Sequence, residues 1–189
     1  MPSLKEFASA CKQCIDDGGG PAEIRELVQQ ALSIQAINPK QVEIDEIVYR
    51  SEDLFIVSLA QPPHGETPIH DHGIWGVIGI AEGSEENIFF RQTDLGPVEV
   101  SRRMVNAGEA IILGPDVIHK IRNPCATGSL GLHVYGGDLP RGKRHMWHPA
   151  TGERLLLEQS RFEGWCEELT AAGEANYGHL AQLAAPSAT

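Results

Sequence analysis

Two histidines separated by a single residue constrain this chain more than any other feature of its sequence. They lie in the stretch TPIHDHGIWGVIGIAEG, where His70 and His72 flank Asp71. On a β-strand, residues i and i+2 point to the same face, so both imidazoles would lie on one side of a sheet. Because apolar residues follow them, the pair suits a metal site at the mouth of a β-barrel.

The best candidate for a third nitrogen ligand is His119, in the segment GPDVIHKIRN. Pro115 turns the chain four residues before it, and Asn123 lies four residues after it. Three neutral imidazoles leave a divalent metal with open coordination positions, and Fe, Zn, Cu and Ni all accept imidazole. The first acid after His72 is Glu82, ten positions on. At that separation Glu82 lies beyond the width of a strand and is not expected to join the histidines.

Periodicity along the rest of the chain predicts a mainly β fold with helices at both ends. Apolar residues recur at helical spacing from about Ser3 to Asp16, behind a capping box, and from Pro21 to about Ser33. From Val42 onward, about seven to nine short β-rich runs separated by turn residues indicate an antiparallel barrel or jelly roll. A short C-terminal helix is predicted from about Ser160 to Ala172.

Length and charge limit the domain organisation and the partners. We expect a single domain over residues 1–189, with a helical addition over 1–40, a barrel over 42–150, and a C-terminal helix and tail over 151–189. A formal net charge of −11 argues against nucleic acid and membrane partners, since both require a basic face. With no signal peptide and no membrane-spanning run, the chain is expected to be cytoplasmic, its cysteines being thiols.

The histidine pattern also resembles a known family. HxH on one strand, followed by P-x-x-x-H-x-x-x-N, is the arrangement of the cupin barrel. The segments TPIHDHGIWGVIG, GPDVIHKIRNP and GLHVYGG resemble the thiol dioxygenase group of cupins, which includes cysteine dioxygenase and 3-mercaptopropionate dioxygenase. They resemble still more closely an uncharacterised bacterial branch of cysteine dioxygenase-like, double-stranded β-helix metal enzymes. The resemblance covers roughly Val48 to Trp147.

This resemblance implies a mononuclear non-haem Fe(II) enzyme, with one iron per chain, that oxidises a small thiol to a sulfinate with O2. The iron ligands would be His70, His72 and His119. His133 and Tyr135 would form an outer hydrogen-bond relay at the substrate. The two relay residues alternate onto one face of a strand, so the spacing agrees with this role.

Three departures from the family pattern change what we expect of the site. The glutamate that follows HxH by four positions in general cupins is Gly76 here, which again predicts no carboxylate ligand. The relay serine two positions before His133 is Gly131, so the relay is shortened. Animal cysteine dioxygenases carry a Cys–Tyr crosslink; because Gly76 stands in the matching region, Tyr135 should remain uncrosslinked.

A thiol carboxylate substrate needs a cation for its carboxylate, preferably a bidentate arginine. Arg50, in VYRSEDL, resembles the early-strand arginine of cysteine dioxygenases. Arg144, eleven residues after His133, resembles in its spacing the arginine of the mercaptopropionate enzymes. Arg141 and Lys143 leave the register open. If both Arg50 and Arg144 faced the cavity, a dicarboxylate thiol would also fit.

Other residues are interpreted more simply. Three apolar residues are candidates for a wall of the substrate cavity, with core packing as their alternative: Ile74, Trp75 and Trp147. Glu85 and Glu86 are interpreted as a solvated hairpin end. Cys11 and Cys14 form a CxxC pair, but at helical spacing they fit a buried stripe better than a redox or zinc motif.

Three functions are consistent with these observations. The first is a thiol dioxygenase, with a small thiol and O2 as partners and a homodimer left open. The second is a cupin metalloenzyme acting on a non-thiol molecule, and the third is a non-catalytic cupin that binds a small molecule. His133 with Tyr135 favours the first, and the missing relay serine leaves room for the second. The chain has no DNA-binding helices or basic segment, which speaks against the third as a sensor.

Overall fold

The protein folds as two antiparallel β-sheets, with helices before and after them. The structure is a computed structural model that describes residues 3–33 and 46–184, with side chains up to residue 173. Within these ranges the helices are α1 (Leu4–Asp16), α2 (Pro21–Ser33) and α3 (Gln159–Ala184). The strands are β1 (Glu46–Arg50), β2 (Phe55–Gln61), β3 (His70–Asp71), β4 (Gly76–Glu82), β5 (Ser84–Thr93), β6 (Gly96–Asn106), β7 (Ala110–Leu113), β8 (Ile118–Arg122), β9 (Ser129–Tyr135), β10 (His145–Trp147) and β11 (Arg154–Leu156).

The strand order is that of a jelly roll. One sheet runs β1-β2-β9-β4-β7 and the other runs β11-β10-β3-β8-β5-β6. The eight strands from β2 to β9 form the barrel. If they are counted from one to eight along the chain, one sheet contains strands 1, 8, 3 and 6 in that order, and the other contains strands 2, 7, 4 and 5. This is the double Greek key of a jelly roll, or double-stranded β-helix. The remaining strands extend the sheet edges, and the predicted fold class is confirmed.

The N-terminal helices cover the outer face of the first sheet. In α1, Ser3 and Glu6 form the predicted capping box, with the Ser3 amide donating to Glu6 Oε2 over 2.6 Å. Cys11 lies fully buried in the helix stripe, and burial raises the pKa of its thiol to about 12. Val28 of α2 belongs to the same cluster of buried residues as strand residues of that sheet. A thiol of such high pKa is a poor nucleophile, in keeping with a packing role for the CxxC pair.

The predictions for the two ends of the chain can be compared with the structure only in part. Helix α3 starts one residue before the predicted Ser160 and continues well past Ala172. The predicted strand start at Val42 and the predicted boundary at residues 40–42 lie outside the described residues, as does the tail from residue 185. None of the helices in the described part of the chain has the length and apolar composition needed to cross a membrane.

A glycine on β4 allows α2 to pack closely against the sheet. A Cβ atom at Gly79 would lie 2.4 Å from Val28 Cγ1 and 3.0 Å from Leu32 Cδ1. We expect Gly79→Ala to lower the free energy of unfolding by about 1–3 kcal/mol, because the added methyl overpacks this contact. Urea unfolding measures the loss. The matched control is Gly114→Ala, where a Cβ meets nothing within 4 Å; equal losses in the two variants would contradict the packing argument.

Candidate metal centre

The three predicted histidines converge inside the barrel. His70 on β3 lies opposite His119 on β8 in the register of the second sheet, and His72 follows directly after β3. The ring centroids are 4.7–5.0 Å apart, and the three potential ligand nitrogens lie within 4.8 Å of one another. All three side chains are at least 94% buried. Within the described residues, this cluster contains no carboxylate or thiol.

Hydrogen bonds orient two of the three rings. His119 Nδ1 donates to Asn87 Oδ1 over 2.9 Å, and His70 Nδ1 donates to the Pro68 carbonyl over 3.0 Å. With the proton fixed on Nδ1, the Nε2 lone pair of each ring is free to bind a metal. His72 Nε2 lies 3.5 Å from His119 Nε2, close to the spacing of about 3.0–3.5 Å for two nitrogens bonded to one metal ion.

Burial keeps these rings uncharged. It lowers the pKa of His70 to about 4 and lowers the pKa values of His72 and His119 well below their usual range. Neutral imidazole is the form that ligates metals. A cation between the Nε2 atoms of His72 and His119 would bind both lone pairs once His72 carries its proton on Nδ1. The donor set therefore fits a divalent first-row metal, and His70, His72 and His119 are the residues that would hold it.

The predicted relay residues lie beside this cluster on β9. The Tyr135 hydroxyl is 3.2 Å from His133 Nδ1, and the Tyr135 ring centroid is 4.9 Å from that of His72. Burial raises the pKa of the Tyr135 phenol, so it stays protonated near neutral pH. Gly76 lies against this ring, since a Cβ there would be 3.1 Å from Tyr135 Cε1. The glycine thus occupies the place where a crosslinking side chain would have to stand.

The two candidate arginines differ in their surroundings. Both line the cavity that contains the histidines. Arg50 is 40% exposed in its side chain and binds both carboxylate oxygens of Asp138, at 2.9 and 3.2 Å. Arg144 is largely buried, and its guanidinium makes no hydrogen bond or ion pair with any described residue. Arg141 and Lys143 are exposed, so they do not compete for the cavity.

The cavity has a volume of about 470 Å³, and the three apolar residues predicted for its wall do not line it. Its apolar lining includes Phe55, Val57, Leu59, Ile78 and Phe162. Trp147 is instead buried against the sheet, where its Nε1 donates to Gln92 Oε1 over 2.7 Å. Trp75 covers Gly136, and Ile74 packs behind the lining. The sequence alone did not indicate that Phe162 of α3 would reach His70, with ring centroids 5.2 Å apart.

The interpretation of Glu85 and Glu86 as a solvated hairpin end is wrong. Glu85 is 1% exposed and points into the barrel, where it accepts a hydrogen bond of 2.9 Å from Asn87 Nδ2. Glu86 points to the opposite side and pairs with Arg122 over 2.6 Å. Burial raises the pKa of Glu85 to about 7. The alternation of β5 places Glu85 and Asn87 on one face, and that face is the barrel interior.

Acid should destabilise the metal-free protein before ordinary carboxylates titrate. His70 and His133 each have a pKa of about 4 in the fold, against 6.5 when unfolded. The unfolded chain thus binds more protons as pH falls below 6.5, and each histidine costs on the order of 3 kcal/mol by pH 4. Glu85 has a raised pKa of about 7 in the fold, so its protonation instead increases the free energy of unfolding as the pH falls. We expect the free energy of unfolding, measured in urea, to fall from about pH 6.5 to 5; a flat profile would contradict burial of neutral imidazoles.

Comparison with known proteins adds only weak likenesses. No family model matches the chain. An uncharacterised double-stranded β-helix protein from Klebsiella pneumoniae is 17% identical, with a TM-score of 0.44 over 61% of this chain and 87% of that one. An RmlC-like cupin from Methanocaldococcus jannaschii is 15% identical, with a TM-score of 0.42 over 52% and 83%. A Cupin 2 barrel protein from Salinispora arenicola is 16% identical, with a TM-score of 0.41 over 49% and 73%. At such TM-scores these likenesses support no conclusion about activity, and the jelly-roll assignment rests on the strand order itself.

Proposed function

We propose that this protein is an iron-dependent thiol dioxygenase that oxidises a small thiol carboxylate to a sulfinate. One observation carries the proposal: one cavity combines three neutral imidazoles, the Tyr135–His133 pair and the guanidinium of Arg144, which is unpaired among the described residues. Each component matches one need of the reaction, namely a metal, a proton donor and an anchor for a carboxylate.

Arg144 is the better candidate for binding the substrate carboxylate. The guanidinium of Arg50 is already neutralised by Asp138, whereas that of Arg144 has no such partner in the described part of the chain. Burial lowers the pKa of Arg144, yet an arginine remains a cation at neutral pH. In a chain with a net charge of −11, this cation and a bound metal would together attract an anionic substrate to the cavity. With Arg50 engaged, a monocarboxylate fits better than a dicarboxylate.

The remaining residues have supporting roles. A bound divalent iron would favour the thiolate form of the substrate and supply the site at which O2 reacts. The Tyr135 hydroxyl, which contacts His133, can donate a hydrogen bond towards the reacting atoms. Phe55 and Phe162 line the cavity with apolar surface and limit the entry of water. A non-thiol carboxylate would satisfy Arg144 equally well, and it is the alternative that the experiment must exclude.

The test is oxygen uptake by the Fe(II)-loaded protein with a panel of thiols. The panel contains cysteine, 3-mercaptopropionate, their decarboxylated counterparts and the matching alcohols. We expect uptake of one O2 per thiol carboxylate, with a product heavier by two oxygen atoms, and little uptake with the other compounds. Iron-loaded protein that consumes no O2 with any thiol would refute the proposal.

A further inference from the structure

A second buried contact lies behind the relay, on the side away from the cavity. Among the residues that the structure describes, the buried His133 Nε2 has no hydrogen-bond partner, and Glu85 Oε2 lies 3.6 Å from it. Leaving a buried polar nitrogen unpaired is costly, and a shift of about 0.5 Å would form the hydrogen bond. Each side chain is only 2% exposed, so water does not compete for this contact.

Gly131 leaves the space for this contact. A Cβ atom at residue 131 would lie 2.7 Å from His133 Nε2, so a side chain there would have to displace the His133 ring. Glu85 approaches the same nitrogen from β5 instead. The group nearest to the shortened relay behind His133 is therefore a carboxyl group on another strand.

The position of one proton decides how this chain of hydrogen bonds runs. If Glu85 is protonated, it donates to His133 Nε2, so Nδ1 carries the ring proton and donates to the Tyr135 oxygen. The Tyr135 hydrogen is then free to point into the cavity. If Glu85 is ionised, Nε2 carries the ring proton and donates to the carboxylate, and the Tyr135 hydroxyl must donate to Nδ1 instead.

We infer that Glu85 is a positioning residue whose proton determines whether the Tyr135 hydroxyl donates into the metal cavity or back to His133. The role of this switch in turnover rests on the proposed function, but the orientation of the relay does not. Passing the Glu85 proton along the chain would deliver one proton from Tyr135 to the cavity, with His133 changing tautomer and Glu85 left as the carboxylate. Every proton is accounted for within these three residues.

The groups that face Glu85 leave it able to hold a proton near neutral pH. On its own strand it accepts from Asn87, which separates it from His119 on β8. From β9 it faces His133, with Tyr135 beyond. Burial of the carboxyl group is the main reason that its pKa is raised, and no described lysine or arginine pairs with it.

The tautomer of His133 tests the inference without any turnover. In the Zn(II)-loaded protein, nitrogen NMR of the histidine rings should show the His133 proton on Nδ1 below about pH 6 and on Nε2 above about pH 8. Glu85→Gln keeps an acceptor for Asn87 and an N–H donor for His133, so its ring proton should remain on Nδ1 throughout. A wild-type tautomer that never changes, or a variant that changes as the wild type does, would overturn the inference.

Two further measurements separate this inference from the proposed function. If Glu85→Gln does not fold, infrared difference spectra of the wild-type protein should still show a protonated carboxyl band that disappears across the same pH range; its absence would refute the inference. If thiol oxidation occurs, its rate should fall with rising pH at this midpoint in the wild type and not in Glu85→Gln. If no thiol is oxidised, only the proposed function fails, because the NMR result stands alone.

Discussion

His119→Ala is expected to lose bound metal and thiol oxidation together. His119 supplies one of three nitrogens, and its Nδ1 is fixed by Asn87, so its Nε2 is oriented to bind the metal. Changes to outer-shell partners alone weaken metal binding by about 10–100-fold, so loss of a ligand should cost more than about 100-fold. Elemental analysis after desalting measures the metal, and the oxygen electrode measures the activity.

The matched control for this variant is His148→Gln. His148 lies outside the cluster, where its ring accepts hydrogen bonds from the amides of Ala150 and Thr151. It should retain metal at the wild-type level. Because His119 is buried, His119→Gln serves as a second variant if the alanine form unfolds. A His119 variant that is folded and keeps full metal occupancy would show that the ligand assignment is wrong.

Arg144→Met is expected to lower kcat/KM for a thiol carboxylate by about 30-fold or more, because a buried charged contact to the carboxylate is worth about 2–5 kcal/mol. The loss should be small for the decarboxylated thiol, which has no group for Arg144 to bind. Measuring kcat/KM of the wild type and the variant with both substrates therefore distinguishes the loss of the carboxylate contact from a general loss of activity.

Arg50→Met is the matched control, since it removes a guanidinium that lines the same cavity but is bound to Asp138. We expect it to change kcat/KM by only a few-fold. If Arg50→Met had the larger effect, or if Arg144→Met impaired both thiols equally, Arg144 would not be the carboxylate anchor.

The directions of the site side chains could be predicted because they depend on local rules, whereas the meeting of His119 with the other two histidines depends on the pairing of β3 with β8. Alternation along a strand places His70 and His72 together, and the turn at Pro115 sets the start of the strand that carries His119. The same alternation places His133 and Tyr135 on one face of β9. These features need only the sequence of the strand on which each residue lies.

The surroundings of Glu85 could not be predicted in this way. Alternation shows that Glu85 and Asn87 share a face of β5, but it does not show which face points inward when both faces carry polar and apolar residues. A charged pair near a turn is usually solvated, and here the polar interior of the barrel reverses that expectation. His133, which faces Glu85 from β9, lies more than 40 residues away in sequence.

The choice between the arginines also depends on distant contacts. Arg50 is neutralised by Asp138, 88 residues along the chain, and no local spacing indicates that pairing. Arg144 is distinguished by the absence of such a partner among the described residues. Sequence resemblance could thus name both arginines, whereas only the folded arrangement separates them.

The most direct test of the account is the position of the metal itself. Crystals of the Fe(II)-loaded protein, grown without oxygen, would be measured at the iron absorption edge. The account predicts one anomalous peak per chain, bonded to Nε2 of His70, His72 and His119 at about 2.0–2.2 Å, with no carboxylate in the shell. A peak elsewhere, or one bonded to Glu85, would contradict it.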